Sequence, residues 1–209
     1  MHPSFSQILE TCQALGSQLS GVVFIGGVAV YLHSAMRKNS SVMPEASHDA
    51  DFMISFSDYG VLKDQEEITS TKRLAKHQMY LNNVEFDIYV EKINRLAIRY
   101  DEIYANAVVI EGMSVASLEH LLILKLEALT SRGHSSKGDK DRRDIAKIGL
   151  LLGRRANVEL ILPHLHESLK NELRDVARST VFYDLVDQNA HAAKKARAAF
   201  ATFAKRLST

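Results

Sequence analysis

The chain has 209 residues, 46% of them apolar, and this length suffices for one large domain or two small ones. Its 26 basic and 25 acidic residues leave a net charge of +1, so the whole molecule is not expected to bind polyanions through net charge alone. A single cysteine, Cys12, excludes an intramolecular disulfide and a cysteine-based zinc cluster, and it fits the reducing cytoplasm where we expect the protein. We expect no membrane association, because there is no signal-peptide pattern and no apolar stretch of spanning length.

The first half of the chain combines helix and strand patterns. Apolar residues recur there either at helical spacing or in alternation with polar ones. Asn82-Asn83 separates two alternating segments and predicts a hairpin turn, and the polar stretch 37–47 predicts a loop. The predicted helices are 4–19 and 28–36, and the predicted strands are 22–25, 51–56, 77–81, 84–90 and 107–110.

The second half is predicted to be helical. Leucines line a first helix over 118–129, and the glycine- and charge-rich stretch 132–140 predicts a connection. Further helices are predicted over 141–152, 158–169, 173–186 and 190–207, although Pro163 interrupts one of these patterns. Because strands dominate before residue 113 and helices after it, we expect an α+β fold with an α/β domain over 1–113 and a helical domain over 114–209.

Three aspartates form the main candidate site. Asp49 and Asp51 are two apart at the start of a predicted strand, so both carboxylates are expected on one face. Asp87 lies on the polar face of a later strand, and the three converge if the two strands are neighbours. Cations would then offset their mutual repulsion. Oxygen ligands of this kind suit Mg²⁺ or Mn²⁺, and two such ions can clamp the oxygens of a phosphoryl or nucleotidyl transfer.

The Gly26-Gly27 pair strengthens this interpretation. It follows a short apolar strand and precedes a predicted helix, where backbone N–H groups can bind phosphates. Each feature alone has an ordinary structural explanation, since aspartates mark strand ends and turns and glycines often end strands. The order of the features along the chain favours a nucleotide-processing site.

In that order of motifs the chain resembles the nucleotidyltransferase superfamily. The matching segments are Phe24-Ile-Gly-Gly-Val-Ala, His48-Asp-Ala-Asp-Phe and Val84-Glu-Phe-Asp-Ile. The resemblance implies a mixed β-sheet flanked by helices, an NTP donor and a divalent metal, Mg²⁺ or Mn²⁺.

The helical half resembles one branch of that superfamily. Leu118-Glu-His-Leu-Leu-Ile-Leu-Lys-Leu-Glu-Ala-Leu and Lys140-Asp-Arg-Arg-Asp-Ile are similar to the helical domain of the AbiEii-like branch, which includes abortive-infection and toxin–antitoxin nucleotidyltransferases. In that branch a lysine on the first helix of this domain and an aspartate on the next are functional. The matching positions are Lys125 and Asp141.

Each of these two positions also has a structural explanation. Lys125 can be a lysine that reaches solvent from the edge of its helix. Asp141 and Asp144 can be acids placed near a helix start, where the helix dipole favours them. We favour a functional role for Asp141 and a structural one for Asp144.

The last predicted helix is basic. A solvated surface helix explains this composition, and the alternative is contact with the phosphates of an RNA acceptor. Its five cations, with no acid among them, are Lys194, Lys195, Arg197, Lys205 and Arg206.

The sequence therefore predicts a metal-dependent enzyme that moves a nucleotidyl group from an NTP to an acceptor hydroxyl of RNA, protein or a small molecule. The predicted metal ligands are Asp49, Asp51 and Asp87, the predicted phosphate-binding residues are Gly26, Gly27 and Lys125, and Asp141 is a further catalytic candidate. One alternative is a catalytically inactive nucleotide- or protein-binding module of the same fold. Another is one half of a toxin–antitoxin pair, bound to a cognate antitoxin.

Overall fold

A computed structural model describes residues 3–37, 44–71 and 76–208. The described residues of Met1–Leu32 and Glu45–Ser117 form one compact unit, and those of His33–Pro44 and Leu118–Thr209 form a second. Most of the predicted loop 37–47 lies outside the described residues.

The first unit is built on a mixed β-sheet. Its strands are β1 Val22–Ile25, β2 Ala50–Ile54, β3 Ile68–Thr71, β4 Lys76–Leu81, β5 Val84–Val90, β6 Val108–Ile110 and β7 Met113–Val115. Within the described part of the chain these seven form one sheet in the order β3-β4-β5-β2-β1-β7-β6. β2 runs antiparallel to β1 and parallel to β5, and β1 runs parallel to β7. The predicted mixed sheet is confirmed.

The described residues of this part of the chain form the helices α1 Phe5–Gln18, α2 Gly26–Ala35, α3 Phe56–Gln65 and α4 Tyr100–Ala105. α1 begins where Ser4 and Gln7 form a reciprocal capping box, which satisfies the first free N–H groups of the helix. The sequence patterns did not predict α3, α4, β3 or β7. α4, β3 and β7 are short, so their apolar periodicity covers too few residues to stand out. α3 buries Leu62 alone, so its sequence has no apolar face to detect.

One face of the sheet carries an aromatic core. Phe24, Phe52 and Phe86 lie on the neighbouring strands β1, β2 and β5, with ring centroids 6.1 and 5.8 Å apart and no exposed surface. Since side chains alternate along a strand, Asp51 and Asp87, which precede and follow phenylalanines, point to the opposite face. The buried phenylalanines therefore set the face on which the two aspartates lie.

The second unit is helical, as predicted. Its helices are α5 Leu118–Arg132, α6 Ser136–Leu152, α7 Glu167–Arg178, α8 Val181–Leu185 and α9 Ala190–Arg206. α6 begins five residues earlier than predicted, because Ser135 accepts a hydrogen bond from the Gly138 N–H at 3.1 Å and caps the helix. The predicted connection over 132–140 is therefore wrong for its last five residues.

The predicted helix over 158–169 is also wrong up to residue 166, and only its last three residues are helical, at the start of α7. The segment forms two short 3₁₀ turns, Val158–Leu160 and Leu162–His164, and a proline sits in the second. Proline lacks the N–H that an α-helix interior requires, so the helical spacing of apolar residues was misleading here. The predicted helix over 173–186 is divided between α7 and α8.

No helix among the described residues has both the length and the apolar character needed to cross a bilayer.

Candidate functional site

Two of the three predicted carboxylates are adjacent across the sheet. Asp51 on β2 and Asp87 on β5 are direct register partners in a parallel pair. Their backbones are therefore separated by one inter-strand spacing, about 4.8 Å, with both side chains on one face. The condition set by the sequence, that the two strands be neighbours, is met.

Gly26 packs directly against Asp51. β1 ends at Ile25, the register partner of Asp51, and Gly26 follows with a φ of +69°. A Cβ atom at Gly26 would lie 2.1 Å from Asp51 Oδ2, well inside van der Waals contact. Only glycine combines this backbone conformation with room for the carboxylate. The glycine turn and the aspartate strand are thus parts of one local arrangement.

Gly27 and Asp49 complete the sequence-predicted residues of this unit. Gly27 is buried in the first turn of α2, and Asp49 is half-buried immediately before β2. The Ser47 hydroxyl donates a hydrogen bond to Asp49 Oδ1 at 3.0 Å. One oxygen of the Asp49 carboxylate is thus held by a residue of the same segment.

Asp87 is already neutralised by a neighbouring strand. The Lys76 ammonium on β4 forms an ion pair with Asp87 Oδ2, and the Gln78 amide donates to Asp87 Oδ1 at 2.9 Å. Asp87 is only 7% exposed, so these partners compensate the loss of water around its charge. Both oxygens of this carboxylate therefore have donors without a metal ion.

Lys76 and Gln78 were not singled out from the sequence, although a signal for them exists. Asn82 and Asn83 have φ values of 51° and 64°, which build the predicted tight turn of the β4–β5 hairpin. Counting back from that turn places Gln78 opposite Asp87. Because side chains two apart share a face, Lys76 falls beside Gln78.

A preformed metal cage is absent from residues 3–37, 44–71 and 76–208. No group of three or more His, Cys, Asp or Glu side chains there is close enough to hold an ion. The donor chemistry of Asp49, Asp51 and Asp87 still suits Mg²⁺ or Mn²⁺. An ion that uses Asp87 has to compete with Lys76 for the carboxylate.

Lys125 and Asp141, the candidates in the helical unit, are brought together. Lys125 Nζ lies 3.1 Å from Asp141 Oδ1, across the packed helices α5 and α6. Lys125 is 9% exposed, so it does not extend from the helix edge into solvent, contrary to the ordinary structural explanation. Its ammonium lies instead against carboxylates, as a buried charge requires.

Asp144 does not have the position that the sequence favoured, that of an acid near the start of its helix. It lies in the middle of α6, beyond the first turn in which the helix dipole favours an acid. It is 3% exposed and lies 2.8 Å from Lys125 Nζ. The expectation of an acid at the helix start was wrong because α6 begins at Ser136.

A cavity of about 420 Å³ occupies another part of the sheet unit. It opens at the ends of β2 and β5, and it is lined by Met53, Glu91, Arg95 and Tyr100 among others. Burial raises the pKa of Tyr100 to about 12, so its hydroxyl stays neutral and donates to the Gly21 carbonyl at 2.8 Å. None of the predicted site residues lines this cavity.

Comparison with known proteins places the fold. No family model and no curated protein matches the sequence. Solved structures do match in three dimensions. An antigenic nucleotidyltransferase-like protein from Paracoccidioides brasiliensis superposes with a TM-score of 0.52 and 17% identity, over 88% of this chain and 91% of that one. A proposed nucleotidyltransferase from H. pylori superposes with a TM-score of 0.50 and 15% identity, over 98% and 95%. At this level of identity the likeness concerns the fold, and the chain has the fold of nucleotidyltransferase-like proteins.

Proposed function

We propose that the protein is a metal-dependent nucleotidyltransferase that moves a nucleotidyl group from an NTP to an acceptor hydroxyl. The observation that carries the proposal is the arrangement of Gly26, Asp51 and Asp87. Two carboxylates are in register on adjacent strands, and a glycine turn that opens a helix packs against one of them. Backbone N–H groups at such a turn bind phosphates, and paired carboxylates bind the metal that accompanies them.

The reaction requires one bond to form and one to break. The acceptor oxygen bonds to the α-phosphorus, the bond from that phosphorus to the bridging oxygen breaks, and pyrophosphate leaves. Asp87 accepts the acceptor proton, directly or through water. Asp49, Asp51 and Asp87 are the groups that would hold Mg²⁺ or Mn²⁺, which would supply electrostatic screening of the phosphates.

In this proposal the helical unit contributes a cation. Lys125 offsets the negative charge that develops on the phosphates during transfer, where one well-placed electrostatic donor is worth about 3 kcal/mol. Asp141, 3.1 Å from the lysine ammonium, orients it.

The test is incubation with each labelled NTP, Mg²⁺ or Mn²⁺, and total cellular RNA or protein. We expect pyrophosphate release and label on one acceptor class. Asp49→Asn with Asp51→Asn should abolish both, and should also abolish Mn²⁺ binding measured by calorimetry, while the fold is retained. Unchanged Mn²⁺ affinity in this double variant would contradict the two-carboxylate assignment.

A second candidate is a nucleotide- or protein-binding module that has lost turnover. The Lys76–Asp87 ion pair favours it, because a lysine there supplies the positive charge that a metal ion would otherwise supply. Nucleotide binding without transfer to any acceptor is the result that distinguishes this module from the enzyme.

We also propose an acceptor, RNA, and a protein partner, a cognate antitoxin. The basic face of α9 supports an RNA acceptor. The resemblance to the AbiEii-like branch supports a cognate antitoxin, which should co-purify with the chain when the product of a small neighbouring gene is expressed with it.

A further inference from the structure

Five charged side chains form a chain of ion pairs inside the helical unit, which we call the ion chain. Arg132 Nη1 lies 2.7 Å from Asp141 Oδ2, and Lys125 Nζ lies 3.1 Å from Asp141 Oδ1. Lys125 Nζ is also 2.8 Å from Asp144 Oδ2, and Lys147 Nζ is 3.8 Å from Asp144 Oδ1. Each of the four carboxylate oxygens therefore faces a cation, and positive and negative groups alternate.

Helix geometry brings these residues together. Asp141, Asp144 and Lys147 are spaced three apart on α6, so they share one face of that helix. Lys125 and Arg132 are seven apart on α5, which is two turns, and they share the face that packs on α6. The two helices thus present complementary charges along their contact.

The ion chain is not an efficient way to stabilise the folded protein. The side chains of Asp141, Asp144 and Lys147 are 1, 4 and 2% exposed, and removing such charges from water costs much of what their pairing returns. Apolar residues of similar size in this leucine-rich contact are often at least as stable. What a buried network of ion pairs does provide is a restricted position for each of its charged groups.

We infer that Asp144 is a positioning residue, which with Asp141 holds the Lys125 ammonium in place, while Arg132 and Lys147 hold the outer oxygens of the two carboxylates. The inference rests on the role of Lys125 in the proposed function. Lys125 stands at the centre of the ion chain, between the carboxylates of Asp141 and Asp144. An ammonium that is already fixed in position suits a polyphosphate ligand, because it can stabilise charge on the phosphates without reorganising.

The experiment compares Asp144→Asn with Asp139→Asn, a matched control on the same helix. Asp139 is 61% exposed and pairs with Arg142 one turn along the same helix, so its amide variant makes the same charge change outside the ion chain. We expect Asp144→Asn to lower kcat of nucleotidyl transfer by about 10- to 100-fold, the scale of a small misplacement of a reacting group, with a smaller change in KM. Asp139→Asn should leave both constants unchanged.

A second measurement does not depend on turnover. Side-chain ¹⁵N NMR detects lysine ammonium groups that are held and protected from solvent, and we expect a Lys125 signal that is lost in Lys125→Met. Asp144→Asn should broaden or remove this signal, and it should weaken binding of inorganic tripolyphosphate, whereas Asp139→Asn should do neither.

The two measurements separate the possible failures. If the wild-type protein transfers no nucleotide, the proposed function fails, yet loss of the Lys125 signal and of tripolyphosphate binding in Asp144→Asn still supports the positioning role. If Asp144→Asn retains the Lys125 signal and tripolyphosphate binding, or if the wild-type protein does not bind tripolyphosphate, the inference is overturned.

Discussion

At the scale of single residues, the contact between Gly26 and Asp51 links the two halves of the candidate site. Gly26→Ala should place a methyl group on the carboxylate and force a left-handed backbone on alanine. We expect a loss of unfolding free energy of about 1–2 kcal/mol from the backbone and about 1–3 kcal/mol more from the overlap. Chemical denaturation measures the sum of these two losses in unfolding free energy. Calorimetry with Mn²⁺ should show weaker binding, because the methyl group displaces Asp51.

Gly112→Ala is the matched control for that substitution. Gly112 has a φ of +79°, close to that of Gly26, but a Cβ there would meet nothing within 4 Å. Gly112→Ala should therefore lower the unfolding free energy by the backbone contribution alone. Equal destabilisation by the two substitutions would mean that the Asp51 contact does not constrain residue 26.

Lys76 offers a test of whether Asp87 is a metal ligand. Lys76→Met removes the cation that is paired with this carboxylate while keeping an apolar stem. If a metal ion competes with the lysine, Mn²⁺ affinity in calorimetry should rise several-fold, at some cost in stability from the unpaired Asp87. Lys92→Met is the control, since Lys92 is 75% exposed and pairs with the adjacent Glu91. An unchanged affinity in Lys76→Met would remove Asp87 from the ligand set.

The burial of Cys12 should lower the free energy of unfolding at alkaline pH. Burial raises the pKa of its thiol from 9.0 to about 12, whereas in the unfolded chain the thiol ionises above pH 9. Thiolate formation therefore stabilises only the unfolded state between these values, so the free energy of unfolding should fall as pH rises from 9 towards 12. In Cys12→Ala the fall should be smaller. Equal pH dependence of the two proteins would contradict the assignment.

At the scale of elements, α9 has one buried and one basic side. Phe200 and Phe203 are buried, and Phe200 packs on Phe182 with centroids 5.5 Å apart, as the structural explanation expected. The cations of this helix that the sequence singled out are all exposed. The packing therefore leaves the basic face of α9 exposed to solvent.

This face predicts salt-dependent RNA binding. Lys194→Ala with Lys195→Ala should weaken RNA binding and lower the slope of log affinity against log salt by about one to two units. Lys170→Ala with Arg174→Ala on α7 makes the same charge change at residues that pair with Glu167, and it should have little effect. An unaltered slope in the α9 variant would leave the helix with a structural role only.

At the scale of the whole molecule, the proposed function assigns Lys125 and Asp51 to the same reaction. Lys125→Met should reduce transfer by about 100-fold, equivalent to about 3 kcal/mol, while Asp51→Asn should abolish most of it. Groups that act together in one transition state are not additive, so the double variant should be little slower than the Asp51 variant. Full transfer in Lys125→Met would remove the lysine from the mechanism and leave the resemblance supporting the fold alone.

Local physics explains what could be predicted from the sequence. β1, α1, α9 and the β4–β5 hairpin match their predicted positions closely, because alternation, helical spacing and a tight asparagine turn are properties of neighbouring residues. The predicted face of Asp51 and Asp87 also follows from alternation. The α6 start and the segment around Pro163 were mispredicted, since a serine cap and a proline outweigh apolar periodicity.

The sequence by itself determined that Asp51 and Asp87 lie on strands, that Gly26 and Gly27 follow the end of β1, and that the second half of the chain is helical. Only the tertiary structure decided that β2 lies between β1 and β5, and so that Gly26 meets Asp51 while Asp87 stands beside it. It also decided that Lys76 reaches Asp87 and that Asp144 joins Lys125. The physical reason is that local patterns specify the face on which a side chain lies, whereas its partner depends on strand order and helix packing between segments distant in the chain.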